Sequence, residues 1–450
     1  MKKTILPLAV FAGLASALVA PGAHAIPAFA RQTGQNCNAC HVSFPELTPY
    51  GRYFKLSGYT LGKAITAYPE DVPLAVMAVV GVTDTKNNNL ASGDKVDSAN
   101  GKLKPQQLSL FLGGKATNHL GAFLQWTSEY NGSGYDFGAD NMDIRLANTR
   151  VAPGGAQPDL IYGLTLNNNP TVQDVWNTVP AWWFPYMASS TGVNGLPAST
   201  QIGGFDPGNV AGLGAYAFWK NTIYAEFTAY RTADGMLSIF DMGNNSDTTA
   251  QPYFKGANPY WRFAYNKDWG PNSIEVGTFG MITDRYADGT NGGPYDRYKD
   301  YGLDSQFQHI TGINTWTAQA AYIHEKAEWG ATTGTSNSTD TLNTFRIKGS
   351  YWYRHKYGGT VGYFTSKGST DTGHWTDPGA TDFGGSQNGT PDTTGYVMEL
   401  DYMPWDYVRL AAQYTAYTKF LGGSNYLDPN GDPRSASDNN SWFFYVWAAY

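Results

Sequence analysis

From residue 74 onward, apolar and polar side chains alternate along the chain with a period of two. In "TFRIKGSYWYR", Phe345, Ile347, Gly349, Tyr351 and Tyr353 fall on one face, and Arg346, Lys348, Ser350 and Arg354 on the other. In "YVMELDYM", Tyr396, Met398, Leu400 and Tyr402 oppose Glu399 and Asp401. In "PYWRFAYN", Trp261, Phe263 and Tyr265 oppose Arg262 and Asn266. This period predicts strands, each with one apolar and one polar face. About sixteen such stretches begin near Leu74, Pro105, His119, Met142, Asp159, Val210, Asn221, Asn258, Asn272, Arg297, Gly312, Thr341, Gly358, Thr394, Asp406 and Ser441. The connections alternate in length. "KNT", "DWGPN", "ITG", "KYGG" and "MPWD" are short, whereas 131–141, 231–257, 287–296, 367–393 and 421–440 are long.

A soluble sandwich with one wet face explains the alternation but not the paired loop lengths. An even strand number, short turns at one end and long loops at the other are features of outer-membrane barrels. The last stretch, "SWFFYVWAAY", puts Trp442, Phe444, Val446 and Ala448 on one face and ends on Tyr450. The expected fold is therefore all-β, with about sixteen antiparallel strands forming an outer-membrane barrel over residues 71–450. One stretch, Asn167 to Asn209, interrupts the rhythm with "NNNPTVQDVWNTVPAWWFPY". So long a connection is usually functional or disordered, and its aromatics argue against disorder. It reads as an inserted loop folded over or into the barrel; a plain surface loop is the alternative.

Composition supports this picture. Aromatic residues are as frequent as charged ones, at 15% each, and glycine occurs 52 times. No apolar run past the amino terminus approaches the ~20 residues of a membrane helix. The formal net charge of −7 and the absence of a basic patch exclude a nucleic-acid partner. The opening "MKKTILPLAVFAGLASALVAPGAHA" has two lysines, a short apolar run and an Ala23-His24-Ala25 cleavage site. It reads as a signal peptide, residues 1–25, too short for an anchor and removed in a protein of a Gram-negative outer membrane.

The only two cysteines, Cys37 and Cys40, precede His41 directly in "CNACH". A disulfide across so small a loop would staple almost nothing. A redox pair of the thioredoxin kind needs βαβ context, and zinc needs further Cys or His at metal spacing. C-x-x-C-H matches covalent haem c attachment, with two thioethers and the adjacent imidazole on the iron. Residues 26–70 are thus a haem-c segment for one covalent haem, too short to build its own core. It is expected to plug the periplasmic mouth of the barrel. A helix is predicted through "PELTPYGRYFKL", with Pro45 in its first turn and Leu47, Tyr50 and Phe54 on one face. The sixth iron ligand is unknown from the sequence. Met77, His119, Met142 and Met187 are candidates, though each residue also suits an ordinary strand or loop role.

The run "IPAFARQTGQNCNACHVSFPELTPYGRYFKLSGYT", with the barrel behind it, resembles the fused outer-membrane cytochrome–porin family best known from bacteria that oxidise ferrous iron. The likeness is in motif over Ala28 to Thr60 and in architecture over the whole chain. It implies that Cys37 and Cys40 bind the haem vinyl carbons, that His41 is the proximal ligand, and that electrons cross the outer membrane. The expected partners are extracellular Fe(II) or another redox partner, a periplasmic soluble cytochrome or other electron carrier, and the lipid bilayer. The favoured direction is inward, making this an electron-transfer protein with Fe(II) oxidation as its associated activity. The alternatives are outward electron transfer and a porin whose haem segment gates or senses. Inward-facing charges (Asp143, Arg145, Glu226, Arg262, Asp304, Arg346, Lys348, Glu399, Asp401, Arg409) would line a wet lumen, hold the plug or guide ions. Carboxylates of the outer loops (Asp84, Asp94, Asp97, Asp284, Asp288, Asp296) would either be solvated or dock an incoming metal ion.

Overall fold

The computed structural model describes residues 28–63, 73–130, 135–155, 158–179, 187–193, 195–204, 209–240 and 252–450. The expected signal peptide lies outside the described residues, as does 64–72, where the haem-c segment was expected to give way to the barrel. Sixteen strands close into one antiparallel barrel. They are β1 (Leu74–Thr85), β2 (Lys104–Lys115), β3 (Leu120–Tyr130), β4 (Tyr135–Val151), β5 (Pro158–Asn167), β6 (Val210–Trp219), β7 (Ile223–Thr232) and β8 (Asn258–Trp269). The ring continues with β9 (Asn272–Tyr286), β10 (Tyr295–Ile310), β11 (Asn314–Glu328), β12 (Thr339–Tyr353), β13 (Tyr357–Gly368), β14 (Thr393–Trp405), β15 (Val408–Lys419) and β16 (Ser441–Ala449).

The ring closes where β16 pairs with β1, from Ser441 opposite Thr85 to Ala449 opposite Met77. Tyr450 completes the seam by exchanging two backbone hydrogen bonds with Val76, at 2.8 and 2.7 Å. Closure leaves no open strand edge, which is the condition for a sheet to sit in hydrocarbon. The start of β1 and the end of β16 share one rim, where the connections are short, as at 220–222, 270–271, 354–356 and 406–407. The other rim carries the long ones, as at 86–103, 168–209, 369–392 and 420–440. The short-turn rim is therefore periplasmic and the long-loop rim external.

The strands start where the alternation predicts, with one correction. β4 begins at Tyr135, not near Met142, so 131–141 is no long loop. Gly138 and Asp140 are poor strand formers. Gly138 is held opposite Thr127 by the ladder to β3, which runs from Leu120 opposite Leu146 to Tyr130 opposite Tyr135, and Asp140 falls at its one bulge.

Side chains sort by face as the alternation requires. Leu213, Phe263, Val276, Leu303, Val361 and Leu400 are exposed on the outside. Trp219, Trp269, Trp316 and Trp405 are also exposed, near the short-turn rim, where aromatic girdles meet lipid headgroups. Arg262, Arg346, Lys348, Glu399 and Asp401 point inward and are buried. Among the described residues no helix is long and apolar enough to cross a membrane; the crossing is made by strands. The protein is an outer-membrane β-barrel of a Gram-negative bacterium.

The lumen is filled by two pieces of chain. Residues 28–63 occupy its periplasmic half. The described parts of 168–204 lie above them, with Asn168, Thr171, Gln173, Asp174, Trp176 and Thr178 almost fully buried.

Candidate haem-binding site

The amino-terminal segment forms α1 (Ala28–Thr33), α2 (Cys37–Cys40), a small antiparallel pair of His41–Ser43 with Glu46–Leu47, and α3 (Pro49–Leu56). α3 starts later than the sequence suggests. Thr48 is its N-cap, with its hydroxyl accepting from Gly51 N at 3.1 Å, and Pro49 takes the first turn. Pro45 lies instead in the preceding turn. Thr48 also binds the Cys37–His41 motif directly: its hydroxyl donates to Ala39 O at 2.6 Å and its amide to Cys40 O at 2.9 Å. Gly51 faces the same carbonyl, and a Cβ there would run into Cys40 O. The two short helices can touch only because residue 51 has no side chain.

This turn presents the motif to an internal cavity of about 520 Å³, lined by Cys37, Cys40 and His41. Other lining residues come from far away in the chain: Met77 of β1, Phe111 of β2, Trp447 of β16 and Met187 of the long loop. A cavity of some 300–1,000 Å³, mostly apolar with a few convergent polar groups, suits a large planar ligand. The two thiols are not joined to each other. Burial pushes them up, Cys37 to about 12 and Cys40 to about 11. Burial lowers His41 to about 4, so its imidazole is neutral, the form that ligates a metal. His41 Nδ1 lies 3.3 Å from Pro45 O, which orients the ring and leaves Nε2 as its remaining donor atom. The residues present fit a covalent haem c.

The segment is gripped by the wall. Arg52 donates to Gln306 at 3.1 Å, Gln308 at 2.8 Å and Ser273 at 2.7 Å. Glu46 pairs with Lys348 at 2.8 Å, and both are almost fully buried. Tyr59 donates to Asp143 at 2.6 Å, and Tyr216 to Leu56 O at 2.7 Å. The ceiling joins in: Lys55 donates to Asp174 O at 2.9 Å, and Leu47 N to Asn177 at 3.2 Å.

Several lumen charges named above therefore hold the fillers. Asp143 and Lys348 hold the amino-terminal segment. Arg262 meets Asp174 of the long loop at 3.6 Å, together with wall residues Glu275 and Asp304. Glu399, Asp401 and Arg409 pair among themselves on the wall.

Of the four sixth-ligand candidates, two are excluded from the cavity. Met142 is buried in a separate cluster with Ala139, Ala211 and Phe240. His119 sits beside the β2–β3 turn, its ring nitrogen 3.2 Å from Ala147 O. Met77 and Met187 both line the cavity. The outer-loop carboxylates are not gathered. Asp284 takes Arg297, Asp288 takes Arg285, and Asp296 accepts the amides of Gly330, Ala331 and Thr332. Among the described residues no three His, Cys, Asp or Glu side chains gather to hold a metal ion.

The sequence reading missed Thr48 and Gly51, although Thr-Pro ahead of an apolar-periodic run is a helix-start signal. It had no means to find Asn177 or Gln306, which reach the segment only through the barrel's closure.

No family model matches this chain, and no curated protein does either. Solved structures of outer-membrane channels, porins and other outer-membrane proteins are similar at low identity. The outer membrane channel DcaP of Acinetobacter baumannii is 10% identical, with 86% of this chain and 100% of that chain covered and a TM-score of 0.47. The anion-selective porin from Comamonas acidovorans is 12% identical, with 84% and 98% covered and a TM-score of 0.44. OmpT of Vibrio cholerae is 9% identical, with 84% and 96% covered and a TM-score of 0.42.

Proposed function

We propose that this barrel moves electrons across the outer membrane through one covalent haem c, inward from extracellular Fe(II) to a periplasmic carrier such as a soluble cytochrome. The observation that carries the reading is the apolar cavity beside Cys37, Cys40 and His41, set inside the periplasmic half of the barrel. Cys37 and Cys40 would hold the group by thioethers, and His41 would ligate its iron. Bound there, the haem would supply a one-electron iron couple. The rest is the work of this chain. Arg52, Glu46 and Tyr59 fix the segment against the wall, so the site has one position relative to the periplasmic rim. Phe29, Phe54 and Tyr59 pack on one another and add an aromatic cluster to the lining of the same cavity. Val172 and Asn177 of the long loop line the cavity from the external side.

A porin role is the second reading, favoured by the barrel itself. The two fillers in the lumen weigh against an open pore, and conductance separates the two.

The test uses the haem-loaded protein in anoxic proteoliposomes with an electron acceptor trapped inside. Fe(II) added outside should reduce first the haem absorption and then the acceptor. Both signals should vanish in the Cys37→Ser/Cys40→Ser variant, which should still form a barrel. A wild-type protein that dithionite reduces but Fe(II) does not would overturn the assignment of Fe(II) as donor. A wild-type protein without covalent haem, conducting ions freely, would replace the reading by the porin.

A further inference from the structure

We propose that Met187, on the long lumen loop, is the sixth ligand to the haem iron; this rests on the haem reading above. Met187 and Met77 both line the cavity that His41 lines and belong to one apolar cluster, but they are buried to different extents. Met77 is almost fully buried on β1 and packs with Val79, Ala411, Phe443 and Tyr445. That packing accounts for its side chain without a ligand. Met187 packs against the edge of the same cluster but is only partly buried, although it lies inside the barrel, and it lines the cavity.

The chain around Met187 is also held more firmly than a gap-filling methionine needs. Gln413 of β15 donates to Met187 O at 2.7 Å and to Glu399 at 2.8 Å. Ser190 donates from both its amide and its hydroxyl to Gln106 of β2, each at 2.8 Å. Ser189 hydrogen-bonds Thr83 of β1. Gly192 N donates to Asp97 at 3.1 Å. Polar contacts to three strands thus fix residues 187–192, while the Met187 side chain packs on apolar neighbours at the cavity lining. A ligand on a pinned loop keeps its position when the metal's charge changes, which a redox site requires. A thioether is neutral, so presenting it to an apolar cavity costs little, and it is a soft ligand for iron. Methionine opposite histidine raises the potential relative to two histidines.

The experiment uses the full-length, haem-loaded protein and reads its spectrum, not its turnover. The oxidised wild type should show the sulfur-to-iron charge-transfer band of Met–His ligation. Met187→Ala and the better-packed Met187→Leu should lose this band while keeping one covalent haem per chain and the heat-resistant barrel. Met187→His should restore a low-spin spectrum with a lower potential than wild type. Met77→Leu should keep the band. Retention of the band in both Met187→Ala and Met187→Leu, or its loss in Met77→Leu alone, would overturn the assignment. A wild type with no covalent haem would instead overturn the reading beneath it, so the two failures are distinguishable.

Discussion

The two pieces of chain that fill the lumen are anchored in different ways. The amino-terminal segment brings a buried cation, Arg52, and the wall meets it with neutral acceptors: Gln306, Gln308 and Ser273. The nearest paired carboxylate, Asp268, is 3.7 Å away and about half exposed. Burial outweighs these partners and lowers Arg52 to about 10. The long loop brings a buried anion, Asp174. Burial works against its charge, but Arg262 at 3.6 Å and the amides of Trp176, Thr178 and Val179 hold its carboxyl below the usual range. Arg262 in turn faces Glu275 and Asp304 of the wall. The loop is thus part of the barrel's charge balance, whereas the amino-terminal segment rests in a socket of mostly neutral hydrogen-bond partners, with ion pairs from Glu46 to Lys348 and, more loosely, from Arg52 to the half-exposed Asp268. The difference suggests a division of labour. The loop completes the barrel, and the segment seats into it.

The comparison breaks most visibly at Asp174. Asp174→Ala removes an anion from the Arg262 cluster and the hub of the loop's turn. Loss of one partner of a buried pair costs about 3–5 kcal/mol. Because Arg262 keeps two carboxylates, the lower end is expected. The denaturant midpoint should fall, and channel conductance should rise as the loop loosens, with haem content unchanged. A conductance that stays closed would show that the loop is held elsewhere.

Lys348→Met should act on the other filler. It leaves Glu46 buried beside Gln308, whose amide is 3.3 Å away. A loss of about 3 kcal/mol in segment docking is expected for breaking such a pair. Hydrogen exchange should accelerate over 41–56 and stay unchanged over 168–179. Adding Glu46→Leu should recover most of the loss, because apolar replacement of a whole buried pair is often neutral. Equal acceleration in both regions would remove the distinction between the two anchors.

The wall was legible in the sequence because a barrel strand is a local object. One residue in two faces lipid, so Phe263, Ile347 and Leu400 announce their faces without knowledge of any partner. β4 escaped because Gly138 and Asp140 weaken the local signal, and the strand is completed by β3. The C-x-x-C-H motif was visible for the same local reason, since Cys37, Cys40 and His41 are near neighbours in the chain. The pocket was not. Much of its lining comes from Met77, Phe111, Met187 and Trp447, residues that meet only when β16 pairs with β1 and the loop enters the lumen. The alternation showed that Lys348 and Arg262 point inward, but not that one would take Glu46 and the other Asp174.

Gly51→Ala tests the seating of the motif within its own segment. The added methyl would meet the Cys40 carbonyl, which is backbone and cannot swing aside. Overpacking of this kind costs about 1–3 kcal/mol. The variant should carry less covalent haem, while the barrel's unfolding midpoint stays within error of wild type. An unchanged haem yield would mean that α2 and α3 can part without harm to the site.

The smallest effect is expected at Thr48, where one hydroxyl accepts from Gly51 N and donates to Ala39 O. Thr48→Ala loses the cap, worth about 1 kcal/mol, and leaves the Ala39 carbonyl without this donor. The amide bond from Thr48 to Cys40 O survives the change, so the motif should stay in place but exchange faster. Hydrogen exchange should rise over 37–56 alone, with the loop and the wall silent. Thr48→Ser keeps the hydroxyl and should restore wild-type protection. If serine fails where threonine succeeds, the methyl group's packing, not the paired hydrogen bonds, joins the Cys37–His41 motif to α3.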